Sequence, residues 1–177
     1  SDDNGSGTSA LLAMVEAIKE LNPERSVMLM WVSGEEKGLL GSKAWVKNPH
    51  FPEEGMKVVA NINLDMVSRN DGDQVHYTPT PGHSQYNDIS KAFKELTSLD
   101  GFSRVENADR YFYRTDIASF AREGIPVLFI TTGTHGDYHR PTDDVDKADT
   151  EKLARITRLA VRVLNEIDLM EEIPRLN

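Results

Sequence analysis

Hydrophobic and polar positions change period several times along the chain, and each change marks a predicted element. From Thr8 to Leu21 the apolar residues Ala10, Leu11, Met14, Val15, Ile18 and Leu21 recur at helical spacing. Ser6 or Thr8 is expected to cap that helix, and Asn22-Pro23 to end it. Val27-Met28-Leu29-Met30-Trp31-Val32 is then a short apolar run between polar turn formers, which predicts a buried strand. A helix over 39–47 is expected to stop at Asn48-Pro49. A second apolar run, 58–64, leads into Asp65-Met66-Val67; its Asn61 and Asn63 alternate with apolar neighbours, as in a strand near a sheet margin or a polar site. Asn70-Asp71-Gly72-Asp73 signals a turn, 74–78 a further strand, and Ile89, Phe93 and Leu96 give 83–97 a helical pattern. A short helix over 115–122 is expected to end at Gly124, followed by a strand over 125–132 with Pro126 at its start. A long loop, 133–146, precedes a last amphipathic helix over about 149–168. Strands alternating with helices predict an α/β fold, its largely parallel central sheet covered by helices on both faces.

Composition narrows the chemistry. The 177 residues suffice for one domain, and a hydrophobic share of 38% with 28% charged residues is that of a globular protein. No stretch approaches the roughly 20 apolar residues of a membrane span. A net charge of -9 argues against non-specific binding to nucleic acid or acidic membranes. With no cysteine there is no thiolate ligand, thiol nucleophile or disulfide, so a transition-metal site must draw on His, Asp and Glu. The sequence begins at Ser1 without an initiator Met or a leader, so it is expected to be a trimmed or processed piece.

Candidate chemistry gathers where predicted strands end. Glu35 and Glu36 follow the apolar run 27–32, Asp65 follows the run 58–64, and His139 lies in the loop after the last strand. In open α/β sheets, sites form beyond the carboxyl ends of strands. Each residue also has a plainer reading. The glutamates suit the start of a helix, where its dipole stabilises acids. Asp3 suits a turn or an N-cap. Asp65 could be a hydrogen-bonded acid at a strand end, since an unpaired buried carboxylate is costly. His135 and His139 have the spacing of a helical zinc pair, but Gly136 and the loop formers around it oppose a helix, and no Glu follows His135; that motif is rejected.

Taken in order, Asp2-Asp3-Asn4-Gly5-Ser6-Gly7, Ser33-Gly34-Glu35-Glu36-Lys37-Gly38-Leu39-Leu40-Gly41-Ser42, Asn63-Leu64-Asp65-Met66 and Asp137-Tyr138-His139 resemble the zinc aminopeptidases, a family that includes bacterial leucyl-type aminopeptidases and, more remotely, glutamate carboxypeptidase II. The resemblance implies a single catalytic domain over 1–177, the C-terminal part of a longer family domain whose first sheet strands precede Ser1. It implies a peptide substrate and two zinc ions in the intact protein, bridged by Asp3; Glu36 and His139 would bind one ion and Asp65 the other. Glu35 would be the general base, Tyr138 would help hold the developing oxyanion, and Asp116 would sit behind the ligands. A non-proline cis peptide is expected at Asp3-Asn4. Relatives take a further ligand from an upstream His-x-Asp segment, so weak or incomplete metal occupancy is expected for these residues alone. They also carry Ser-Asp-His or Ser-Asp-Tyr where this chain has Thr115-Asp116-Ile117, which is expected to alter the pocket wall. A secreted, periplasmic or cell-surface location is the family expectation. Two competing classes are a glutaminyl cyclase-like acyltransferase with a single zinc and a non-catalytic ectodomain on the same scaffold.

Overall fold

Val127–Thr131 is the most buried stretch of the chain, and the fold is arranged around it. All five residues are shielded from solvent. Their alternation sends Leu128 and Ile130 into one apolar cluster, and Val127 and Phe129 into another. A strand hidden on both faces has to be apolar throughout, which is why Val127-Leu128-Phe129-Ile130 carries no polar alternation. The computed structural model describes residues 1–176.

Four strands form the sheet: β1 (Asn61–Leu64), β2 (Gln74–Thr78), β3 (Arg104–Asn107) and β4 (Val127–Thr131), in the order β1-β4-β2-β3. β1 runs parallel to β4, and β2 parallel to β3, while β2 and β4 are antiparallel. Helices α1 (Gly7–Leu21), α3 (Asp88–Leu96) and α5 (Thr150–Leu169) cover one face, where Met14, Phe93, Ile156 and Leu159 meet Leu64, Val75, Leu128 and Ile130. Helices α2 (Leu40–Lys47) and α4 (Ile117–Arg122) cover the other through Trp45, Ile117 and Phe120. The result is an α/β sheet of mostly parallel, mixed strands flanked by helices. No helix among the described residues is long and apolar enough to cross a membrane.

Local chemistry explains most element ends. Asn22 closes α1 in the left-handed conformation before Pro23. Asn87 caps α3 by accepting from the Ile89 and Ser90 amides, and Asp149 caps α5 through Lys152 N–H. At the start of α1 the expected Ser6 or Thr8 cap is replaced. Ser6 Oγ instead donates to Asp2 O and accepts from Val67 N–H, while Asn4 Oδ1 takes the Gly7 amide. Gly7 permits this arrangement: a Cβ there would stand 2.1 Å from the Leu64 carbonyl oxygen.

Two strand expectations need correction. The run 27–32 forms no ladder among the described residues, and none of its six side chains is buried. Residues 58–60 are likewise outside β1, which starts only at Asn61. The two segments flank a cavity of about 390 Å³ lined by Val27, Leu29, Met30, Val58, Ala60 and Ile62. An apolar run becomes a strand only when a neighbour takes up its backbone groups. Among the described residues, β1 pairs with β4 on one side and borders this cavity on the other. In the opposite direction, β3 was not expected, because Arg104-Val105-Glu106-Asn107 is largely exposed and shows no apolar face.

Candidate metal centre

The carboxyl ends of β1 and β4 lie together, since Leu64 is in register with Ile130. Three loops converge there. The first is the N-terminal turn Asp2–Ser6, which contains the expected cis peptide between Asp3 and Asn4. Asn4 fastens it to β1, donating from Nδ2 to Leu64 O at 2.9 Å and accepting the Met66 amide. The second is the single helical turn Glu35–Lys37, flanked by Gly34 and Gly38 in left-handed conformations. The third is the loop after β4, in which His139 adopts a left-handed backbone with φ 58°. His135 is not part of any helix, in keeping with the rejected zinc-pair motif.

These loops bring three of the sequence candidates to one point. His139 Nε2 lies 2.6 Å from Glu36 Oε1 and 3.1 Å from Asp3 Oδ2. One donor atom from each of Asp3, Glu36 and His139 falls within 4.8 Å of the other two. An imidazole and two carboxylates with an open side are a suitable set for a small divalent cation.

Glu35, Asp65 and Asp116 are not part of this cluster, but their charges act on one another, and that of Asp3 acts on Glu35 and Asp65. Burial, reinforced by the charges of Glu36, Asp116 and Asp3, pushes the Glu35 carboxyl up to about 7. Burial and the charges of Asp3, Glu35 and Asp116 push Asp65 up to about 8, and its buried Oδ1 has no hydrogen-bond partner among the described residues. Burial also raises Asp3, with Glu36 adding to the shift and His139 opposing it. Asp116 is raised by burial although Ser42 Oγ donates to its Oδ1 at 2.5 Å. So many acids held above their ordinary range in one place mark a concentration of negative charge. Tyr138 stacks on the His139 ring with centroids 3.8 Å apart, and burial beside Glu36 and Asp3 raises its hydroxyl. Ile117, expected at the pocket wall, is instead buried in the cluster with Phe112, Phe120 and Phe129.

The sequence profile of peptidase family M28 matches residues 1–164. The chain belongs to peptidase family M28. Among relatives, a probable leucine aminopeptidase of Arthroderma benhamiae is 30% identical over 179 residues, covering 94% of this chain and 47% of that protein. The LapA aminopeptidase of Legionella pneumophila superposes with a TM-score of 0.76 at 26% identity, over 96% of this chain and 47% of that one. A Bacillus subtilis zinc aminopeptidase gives a TM-score of 0.77 at 23% identity, over 93% of this chain and 41% of that one. This M28 chain therefore spans less than half the length of these relatives.

Sequence reasoning passed over the groups that hold the M28 loops in place. Asp2 is fully buried and accepts from Ser68 N–H and Ser68 Oγ. Asp143 accepts from the Asp2 and Asp3 amides, and from Arg69 at 2.9 Å. Among the 29 acids of the sequence, Asp2 and Asp143 lie in loop stretches with no apolar neighbours to set them apart.

Proposed function

We propose that this chain carries the metal-binding part of a zinc metallopeptidase, an aminopeptidase that releases N-terminal residues from peptides. The observation that carries the reading is the meeting of Asp3, Glu36 and His139 within bonding range of one ion, with Glu35 beside them. In this reading Asp3, Glu36 and His139 hold a zinc ion, and Asp3 with Asp65 faces a second. The orphaned Asp65 Oδ1 suits that second position, since a buried carboxylate oxygen without a donor calls for a cation. Zinc supplies a water acidified to near neutral pH and polarises the scissile carbonyl.

The chain's own residues perform the remaining tasks. Glu35 immediately precedes Glu36 on the same turn, so in this reading its carboxylate would act from beside the site. With its proton affinity raised toward neutrality, it is matched to take a proton and hand it to the leaving amine. Tyr138, stacked against His139, would in this reading donate its hydroxyl to the carbonyl oxygen as charge develops on it. Asp116, tied to Ser42, adds negative charge behind Glu35 and keeps its proton affinity high. Residues 1–177 act as a single catalytic unit within a longer protein, and a location outside the cytoplasm belongs to the same reading.

Titration of this chain with Zn²⁺ alone, followed by calorimetry, tests the metal centre. One weakly held ion per chain is expected, and His139→Ala is expected to remove it. No binding by the unsubstituted chain, or unaltered binding by His139→Ala, would overturn the assignment. Metal analysis of the longer protein, paired with hydrolysis of aminoacyl p-nitroanilides, tests the rest. Two ions with hydrolysis support the co-catalytic aminopeptidase; one ion without hydrolysis would favour a cyclase-like acyltransferase.

A further inference from the structure

Behind the three candidate ligands lies a group that nothing in the family resemblance assigns. Asp143 is nearly buried, its side chain 7% exposed. Its Oδ2 accepts from the Asp2 amide at 2.8 Å and the Asp3 amide at 3.4 Å, and the Ser1 nitrogen lies 2.7 Å away. Its Oδ1 accepts from Arg69 Nη1 at 2.9 Å, with His135 Nε2 at 3.9 Å. The Arg69 fork continues outward: Nη2 donates to Asp137 Oδ2 at 2.6 Å. Asp137 is two residues before His139, and its other oxygen takes Thr142 Oγ1 and Lys147 Nζ.

The connectivity is specific. Arg69 lies four residues beyond Asp65, Asp143 four beyond His139, and the amides that Asp143 holds belong to Asp3 and its neighbour. One carboxylate and one guanidinium therefore join all three segments that end in Asp3, Asp65 and His139. Asp2 repeats the link on the inner side, bonding Ser68 through Oδ1, with Oδ2 3.4 Å from His135 Nε2. His135 Nδ1 accepts the Asp137 amide, so the proton of a neutral ring sits on Nε2, facing Asp2. We propose that Asp143, through Arg69, is the positioning residue of the metal centre, fixing the Asp3 and His139 loops at the spacing that one ion requires. This inference rests on the metal-centre reading above and adds to it the device that sets its geometry.

The carboxylate is needed because both of its oxygens accept. Asn at 143 has the same shape but only one acceptor oxygen, so its NH₂ would face either the Asp2 and Asp3 amides or the Arg69 guanidinium. Groups that orient a ligand from behind typically change metal affinity by about tenfold to a hundredfold when altered.

The experiment compares Zn²⁺ binding by the unsubstituted chain, Asp143→Asn and Asp109→Asn. Asp109 is a control of similar bonding: it accepts from Thr78, Thr80 and Asn107 beyond the end of β2, which points away from the candidate centre. Asp143→Asn is expected to bind zinc about tenfold to a hundredfold more weakly and to shift the visible absorption of bound Co²⁺. Asp109→Asn is expected to bind and absorb like the unsubstituted chain. Equal affinity and an unchanged Co²⁺ spectrum in Asp143→Asn would overturn the inference, as would the same weakening in both variants. If Asp143→Asn fails to fold, Arg69→Lys keeps the charge and removes the fork. A weakened Zn²⁺ affinity there supports the proposal, and an unchanged one defeats it. Failure of the unsubstituted chain to bind zinc would remove the metal centre itself, a result distinct from a silent Asp143.

Discussion

Glu35→Gln is expected to slow peptide hydrolysis about a hundred- to ten-thousandfold while leaving zinc content unchanged. Gln keeps the size of the side chain and its capacity to accept a hydrogen bond, but it cannot carry the proton. Zinc content is expected to hold because the donors that cluster are those of Asp3, Glu36 and His139, not Glu35. The measurement pairs kcat/KM for an aminoacyl p-nitroanilide, in the longer protein containing these residues, with metal analysis of the same sample. Zinc lost together with activity would make Glu35 a ligand. Activity within tenfold of the original would end its role as base.

Zinc affinity is expected to climb steeply with pH between about 6 and 8, by up to tenfold per unit for each proton displaced. The cause is the crowding of acids at the site. With no ion bound, Glu35 keeps its proton up to about 7 and Asp65 up to about 8, and Asp3 is raised as well. In the unfolded chain such carboxyls ionise near pH 4. Between those limits the folded, metal-free chain binds more protons than the unfolded one, so its stability falls as pH rises from about 4 toward 8. Zinc supplies the missing positive charge, so its binding expels those protons and offsets the loss. Calorimetry at pH 6 in two buffers of different ionisation enthalpy should show proton release, which should nearly vanish at pH 8.5. Equal heats in the two buffers at pH 6 would contradict the expectation.

Positions whose local chemistry is self-contained were legible from the sequence. The period of α1, α3 and α5, the apolar run of β4, and the turn at residues 70–73 all depend on side chains close along the chain. The candidate ligands were legible for another reason: each sits in a short motif, and four motifs occur in a fixed order. Elements that depend on distant partners were not. β3 is polar and becomes a strand only because β2 offers an edge. The run 27–32 has the composition of a strand but pairs with no neighbour among the described residues. Asp143 and Arg69 are 74 positions apart, and nothing near either one announces the other. Ile117 shows the same limit in reverse. A motif comparison put it at the pocket wall, whereas its side chain completes the packing under α4.

Val27–Val32 has one practical consequence. Six consecutive apolar residues without proline or charge, with Met28 and Trp31 about half exposed and no ladder among the described residues, are a template for a strand from another chain. As concentration rises, this stretch is where separate molecules are expected to adhere first. A lysine in place of Met28 should keep them apart, and light scattering at increasing concentration would reveal the difference.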